Sequence, residues 1–387
     1  MDHAPNGILL VDKAESWTSH DIVAKARRAL GIRKVGHAGT LDPMATGLLL
    51  LGAGPATRLL THLVGLDKTY TATIRLGQAT VTDDREGEAL ERSEGEQHEV
   101  SRRIAALAAD PARIREAAAG LTGAIEQTPS AVSAIKVDGR RAYDRVRAGE
   151  QVELKARPVT VHAFELGDPR LVSAEPPLPS TGSGNGREAL LPSTGSGNRG
   201  VTGFPVAEPV EASGGRAASP AATSRHDVLD LEATIRCSSG TYVRALARDL
   251  GAALGVGGHL TALRRTEVGP FVVADAVSTE SLADAGIDST LALLNPAAVA
   301  AELFPVLGLS AQQEVDLGHG KRLEVDPQAH PDTKLAAAIA PGGRLVGLVE
   351  IKRGRTRVVT NFPVPAPVPA PAAETGTPTK TERNGER

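Results

Sequence analysis

Apolar and polar residues alternate along Tyr70, Ala72, Ile74 and Leu76, and again along Leu231, Ala233, Ile235 and Cys237. A period of two puts one set on one face of an extended chain, so both stretches read as strands with a single buried side. Cys237 is then a core thiol. The unbroken run Leu48 to Leu51 reads instead as a fully buried strand. Thr18 with Asp21 three residues on opens a helix whose Ile22, Val23, Ala26 and Leu30 share a face, with Lys25 and Arg28 opposite and Gly31 as the stop. Asp110-Pro111 opens another, burying Ile114, Ala117, Ala118 and Leu121. Leu345 to Ile351 and Arg357 to Phe362 flank Arg353-Gly354-Arg355, a hairpin signal in a C-terminal part with one or two short helices. Helices and strands alternate irregularly, which predicts an α+β fold with a small, separate β-rich unit.

Two stretches break the pattern. From about 172 to 227 the composition falls to Pro, Ser, Gly, Thr and Ala, and the octamer Leu-Pro-Ser-Thr-Gly-Ser-Gly-Asn occurs twice, from Leu178 and from Leu191. Such a segment buries too little apolar surface to offset its ordering entropy, so a disordered insertion is expected, as is an unfolded Pro/Ala-rich tail over 363–387.

Composition narrows the function classes. The chain has 387 residues, 41% hydrophobic and 23% charged, enough for two or three ordinary domains. One cysteine forbids an intramolecular disulfide, and no Cys/His cluster has zinc spacing, so a reducing, cytoplasmic setting without metal is expected. Neither an export signal nor a membrane span is encoded. With 46 acidic against 43 basic side chains the net charge is −3, so a nucleic-acid site must be a local patch. Two such patches exist, one from Lys25 to Lys34 that includes Arg33, the other from Lys136 to Arg147 with Arg140 and Arg141. The acidic stretch Asp83 to Glu99 reads as a solvated loop.

The densest unusual stretch is Lys34-Val35-Gly36-His37-Ala38-Gly39-Thr40-Leu41-Asp42-Pro43-Met44-Ala45-Thr46-Gly47, placed on a loop between a helix and the buried strand. Its glycines permit close backbone approach, and Pro43 restricts Asp42 to extended conformations, projecting the carboxylate from a stiff turn. Taken alone, Asp-Pro in such a loop is better explained by simple turn initiation.

The string Gly36 to Gly47 resembles the active-site loop of the TruB-type tRNA pseudouridine synthases. Further family motifs follow in order: Gly7 to Lys13, Asp67-Lys68-Thr69-Tyr70, Gln127 to Lys136, Gly240-Thr241-Tyr242-Val243-Arg244 and His259 to Arg265. Ser130 and Val132 depart from the commoner form of the family's RNA-gripping thumb. The resemblance implies a catalytic pseudouridine synthase domain over 1–275 built on a mixed, largely antiparallel sheet, a thumb-like segment over about 124–152, and a C-terminal PUA-like RNA-binding domain over 276–362.

It also implies roles. Asp42 would be the catalytic nucleophile. An ionised aspartate needs orientation more than activation, and Arg244 would supply it as a bidentate partner. Tyr70 would stack on the extruded uracil, Tyr242 would touch substrate, Leu263 would line the base pocket and His37 would lie against the RNA. Arg33, Lys34, Lys136, Arg140 and Arg141 would meet the RNA backbone. The implied reaction converts uridine 55 in the tRNA T-loop to pseudouridine by base flipping, with no cofactor, in a monomer acting on the T-arm. Two other classes stay open: a tRNA-folding chaperone without essential chemistry, and a nucleosidase or glycosidase in which a second carboxylate, Asp12 or Asp67, serves as acid.

Overall fold

The computed structural model describes residues 4–130, 136–137, 140–141, 154–174, 226–285 and 291–364. Most of the expected thumb, the low-complexity insertion and the tail lie outside these residues.

The strands in chain order are β1 (Gly7–Lys13), β2 (Val35–His37), β3 (Thr46–Ala53), β4 (Lys68–Leu76), β5 (Gly123–Gln127), β6 (Lys136–Val137), β7 (Arg140–Arg141), β8 (Arg157–Leu166), β9 (Arg170–Ala174), β10 (His226–Cys237), β11 (Gly258–Val268), β12 (Phe271–Val272), β13 (Val277–Ser278), β14 (Val306–Gly308), β15 (Thr333–Ile339), β16 (Leu345–Lys352) and β17 (Arg355–Asn361). The helices are α1 (Ser19–Ala29), α2 (Leu60–Val64), α3 (Glu94–Ala109), α4 (Ala112–Ala119), α5 (Val243–Ala253), α6 (Thr279–Asp284), α7 (Pro296–Leu303) and α8 (Ala311–Gly318).

One large sheet runs β13-β1-β3-β11-β4-β10-β8-β5, with β2 added on β3, β9 on β10 and β12 on β11. Within this sheet, among the described strands, β1/β13 and β3/β11 pair in parallel and the other pairings are antiparallel. The fold is thus α+β with a mixed, largely antiparallel sheet and a small C-terminal sheet, β14-β15-β16-β17.

The hydrophobic pattern explains the layering. On β4 and β10 the alternating residues Tyr70, Ala72, Ile74, Leu76, Leu231, Ala233, Ile235 and Cys237 are all buried, under helices α1, α3, α4 and α5. The Leu48–Leu51 run has no polar face because β3 is covered on both sides. Leu49 and Leu51 join the core beneath α1, while Leu48 and Leu50 join a second core with Ala337, Leu345, Leu348 and Phe362 of the C-terminal part. Full burial of each such leucine is worth roughly 1.5–3 kcal/mol. The small sheet is therefore fastened to the large one through a shared apolar layer, and β13 carries the large sheet past residue 275.

Local signals hold where they were strongest. Thr18 and Asp21 form a capping box on α1, and Ile22, Val23 and Ala26 are buried. The β16–β17 hairpin turns through Arg353 and Gly354, both left-handed at φ 51° and 69°. His226 pairs with Ala174, so residues 175–225 join the ends of two adjacent strands. The short β6 and β7 pair with each other.

Two expectations change. The Asp42 loop joins strand to strand, because β2 intervenes after α1 and pairs antiparallel with β3. The stretch 83–99 is not simply a solvated loop. Ser93 caps α3 within it, and Asp83 and Asp84 are buried at 8% and 2% exposure. Their desolvation is offset in large part by partners distant in the sequence, Arg244, Arg248 and Ser130.

Candidate active site

The Asp42 loop is pinned from below. Lys13 at the end of β1 is fully buried, and its ammonium donates to the carbonyls of Ala14, Trp17 and Pro43 at 3.0, 2.7 and 3.1 Å. Burial lowers its pKa to about 8, partly countered by the nearby Asp42 carboxylate. The Ser19 hydroxyl donates to the Leu41 carbonyl and accepts from the Leu41 N–H. Ser16 N–H also donates to Pro43 O at 3.0 Å. Three backbone groups flanking Asp42, the Leu41 N–H and carbonyl and the Pro43 carbonyl, are thus fixed by β1, α1 and the turn between them, which leaves the carboxylate itself projecting.

That carboxylate meets Arg244. Arg244 Nε lies 3.0 Å from Asp42 Oδ2, with the arginine side chain 7% exposed and the aspartate 39%. Arg244 Nη1 is 3.3 Å from Asp84 Oδ2 and donates to Thr82 O at 2.9 Å. The guanidinium is therefore shared between two carboxylates rather than committed to Asp42. Asp84 is held in turn by the Thr82 hydroxyl and the Glu86 N–H. Asp84 and Asp42 together, after burial, push the Glu86 carboxyl upward.

A parallel assembly lies one turn along α5. Arg248 Nη1 donates to Asp83 Oδ2 at 3.1 Å and Nη2 to Thr128 O at 2.7 Å. The Ser130 hydroxyl donates to the same Asp83 oxygen at 2.6 Å. Burial raises the Asp83 pKa, opposed by Ser130 and the two arginines. Residues 82–86, the start of α5 and residues 127–130 are thereby tied together, so the departure Ser130 has a structural job of its own.

Gln127, buried at the end of β5, sets the start of α5. Its side-chain amide accepts from Tyr242 N–H at 2.8 Å and donates to Tyr242 O at 3.1 Å. Tyr242 has no side-chain cap of its own at the helix N-terminus. Gln127 fixes the backbone from which Tyr242 and Arg244 project.

These elements enclose a cavity of about 350 Å³ whose wall includes Asp42, Lys68, Tyr70, Tyr242, Arg244, Leu263 and Arg265. Concavities of about 440 and 470 Å³ lie elsewhere on the described surface, but Asp42 and Arg244 line neither. Tyr70 and Leu263 are mostly buried, at 8% and 7%, so each serves core and cavity at once. Burial raises the pKa of both Tyr70 and Tyr242, which keeps their phenols protonated.

Of the residues singled out in the sequence, Asp42, Tyr70, Tyr242, Arg244 and Leu263 converge on this cavity. His37 does not line it. His37 sits on β2, its ring edge-on to His20 at 5.8 Å, with a buried Nδ1 that has no hydrogen-bond partner among the described residues. Burial, then His20, lowers its pKa, so it is a neutral imidazole. Arg33 and Lys34 are exposed just before β2. The side chains of Lys136, Arg140 and Arg141 lie outside the described residues. Sequence reasoning missed Asp84, Arg248 and the clamp by Gln127. Lys68 and Arg265 lie inside family motifs, but the resemblance implied no role for either. The other two carboxylates considered are engaged away from the cavity: Asp12 with Arg264 at 2.7 Å, Asp67 with His162 at 3.0 Å.

Comparison with known proteins agrees with the motifs. The family model "TruB family pseudouridylate synthase (N terminal domain)" matches residues 27–174, "tRNA pseudouridylate synthase B C-terminal domain" matches 244–299, and "tRNA Pseudouridine synthase II, C terminal" matches 304–363. The tRNA pseudouridine synthase B of Leifsonia xyli subsp. xyli (strain CTCB07) is 48% identical over 359 residues, covering 92% of this chain and 97% of its own length. The protein of the same name from Thermobifida fusca (strain YX) is 44% identical over 357 residues, covering 92% and 98%. A chain in a structure of an H/ACA RNP bound to a substrate RNA containing 2'-deoxyuridine superposes with TM-score 0.54 at 20% identity, covering 93% of this chain and 86% of that one. A chain of a Cbf5-Nop10-Gar1 complex gives 0.55 at 21%, with the same coverage. At that identity the two structures speak to the fold alone. Fold and motifs together define the class: this is a pseudouridine synthase, an isomerase. Within that class the chain belongs to the TruB family.

Proposed function

We propose that the protein converts uridine 55 in the T-loop of tRNA to pseudouridine, with Asp42 as the nucleophile and the uridine flipped into the cavity. The observation that carries this reading is the Asp42–Arg244 contact at 3.0 Å on the wall of a cavity faced by Tyr70 and Leu263. A carboxylate that is partly open while its guanidinium partner is buried is oriented without being covered. The relatives' shared name, tRNA pseudouridine synthase B, supports tRNA as the substrate.

In this reading Tyr70 stacks on the uracil, Leu263 packs against its edge and Tyr242 contacts the ribose side. Arg244 holds Asp42 in place and is itself held by Asp84. Unstacking the base costs a few kcal/mol, offset by stacking and by phosphate contacts from Arg33, Lys34, Lys136, Arg140 and Arg141. Neutral His37 beside them contacts the RNA without adding charge. Residues 276–362 act as the PUA-like RNA-binding domain on the catalytic domain 1–275. The product is an isomer of the substrate, so the reaction consumes no external group or electron. The enzyme works as a monomer in the cytoplasm.

A glycosidase needs a second carboxylic acid facing the scissile bond. Asp84 is the carboxylate nearest in the network, and it is 2% exposed, engaged by Arg244 and off the cavity wall. The test is incubation with an unmodified T-arm stem-loop and mapping of pseudouridine by carbodiimide-stop primer extension. Wild type should give one product at the T-loop uridine. Asp42→Asn should bind the same RNA and give none, whereas retained product in that variant refutes the assigned nucleophile and absent product in wild type refutes the reading.

A further inference from the structure

The charges around the cavity are divided. Asp42 and Asp84 are joined by Arg244. Lys68 and Arg265 line the same cavity as Asp42, and neither has a carboxylate within ion-pair distance among the described residues. Arg265 is 1% exposed; its Nε donates to Leu48 O at 2.7 Å and its Nη2 to Gly39 O at 3.1 Å. Its guanidinium also lies beside the Tyr70 hydroxyl. Lys68, 6% exposed, donates to Val64 O and Leu66 O, and burial lowers its pKa to about 8, with Arg265 contributing. The neighbouring arginines differ: Arg244, Arg248 and Arg264 each meet a carboxylate.

Burying a cation without a counter-ion costs several kcal/mol, and carbonyl dipoles offset only part of it. The fold nevertheless builds two such cations into the lining of one cavity. Gly47, left-handed at φ +99°, brings the Arg265 backbone against the end of the Asp42 loop, where a Cβ would lie 2.2 Å from Arg265 O. The bend after α2 turns two carbonyls onto Lys68. A wall of fixed, dry positive charge facing a base pocket is complementary to an anion that exists only during reaction.

Resting on the proposed reaction, we infer that Lys68 and Arg265 are catalytic residues that stabilise the uracil anion released when the glycosidic bond breaks. The C1′–N1 bond cleaves with its electron pair going to N1, while an Asp42 carboxylate oxygen bonds to C1′. The detached ring carries one negative charge over N1, O2 and O4, opposite the two cations. After rotation, C5 bonds to C1′ and the ester bond to Asp42 breaks. The freed carboxylate takes the C5 proton, water protonates N1, and the hydroxide so formed takes the proton from Asp42, which restores the carboxylate with nothing oxidised or reduced.

The experiment compares Lys68→Met and Arg265→Lys with wild type in single-turnover glycosidic-bond cleavage of T-arm stem-loops carrying uridine or 5-fluorouridine. Fluorine withdraws electrons and makes the departing anion intrinsically more stable. Lys68→Met should slow the uridine reaction about 100-fold and the 5-fluorouridine reaction only about 10-fold, with RNA Kd unchanged and the unfolding midpoint not lowered. Arg265→Lys keeps the charge but loses the fork and should show a smaller deficit with the same sensitivity to fluorine. Equal deficits on both substrates, or a weakened Kd with normal cleavage, overturn the inference and make these residues structural or RNA-gripping. Wild-type turnover of the uridine stem-loop, measured alongside, keeps that outcome separate from failure of the proposed function.

Discussion

Replacing Gln127 removes the clamp on the start of α5, yet touches no substrate-facing atom named above. Its amide makes two hydrogen bonds to the backbone of Tyr242, at 2.8 and 3.1 Å, and is itself 1% exposed. A leucine of similar size makes neither. Each bond contributes about 1 kcal/mol net, and a buried partner left unmet costs about 1–3 kcal/mol. Because Tyr242 is only half-buried, water recovers part of this, giving an expected destabilisation of about 2–4 kcal/mol for Gln127→Leu. Glutamate isolates the polarity of the clamp. One carboxylate oxygen can still accept from Tyr242 N–H, but the other faces Tyr242 O where an N–H used to donate. Gln127→Glu should therefore be less stable than wild type at neutral pH and regain stability on acidification, when a protonated carboxyl can donate again. Arg244 is the second residue of the helix that Tyr242 opens, so loosening the start of α5 should also misplace the Asp42 partner and lower kcat about 10-fold or more. Urea unfolding midpoints and single-turnover rates on a T-arm stem-loop read both effects. A Gln127→Leu protein with wild-type midpoint and wild-type rate would refute the reasoning.

Two further outcomes follow from the same geometry. Lys13 is held at a pKa of about 8 in the folded protein against an ordinary 10.5, so below pH 8 it is protonated in both states and its burial penalty is fully present. Between about 8 and 10.5 the unfolded chain binds the extra proton, so this lysine makes stability rise with pH. Lys13→Met should flatten that rise in urea titrations across pH 7–10.5, and should slow turnover by freeing the Pro43 carbonyl beside Asp42. Separately, exchanging residues 175–225 for a two-residue Asn-Gly turn should leave activity intact and raise stability by about 2 kcal/mol through the shorter loop, since Ala174 and His226 already pair. Thermal unfolding and the primer-extension assay check this, and loss of product would assign the segment a role.

The parts of this protein that were legible in its sequence share one property: their cause is local. Alternation on β4 and β10 marks a one-sided strand wherever it occurs, and the Thr18–Asp21 box caps α1 with atoms three residues apart. The Arg353-Gly354 turn needs two left-handed residues in succession. Asp42, Tyr70, Tyr242, Arg244 and Leu263 stood out through their motifs, and the structure brings all five to one cavity. His37, from the same loop as Asp42, does not follow them there, because β2 pairs along β3 and turns it toward His20.

What tertiary structure alone decided is the pairing of charges distant in the chain. Asp83 and Asp84 belong by composition to an acidic, water-facing stretch; they are buried because Arg244 and Arg248, some hundred and sixty positions on, reach them from α5. Leu48 to Leu51 announces burial on both faces, but not that the second face would be supplied by the C-terminal sheet. Lys68 and Arg265 read as ordinary polar residues until β4 and β11 pair and enclose them with carbonyls in place of acids. Hydrophobic periodicity is written in neighbouring residues because the strand and helix repeats are local. The desolvation and compensation of an ion depend on whatever the fold carries to within a few ångströms of it, and that is settled only when the chain has closed on itself.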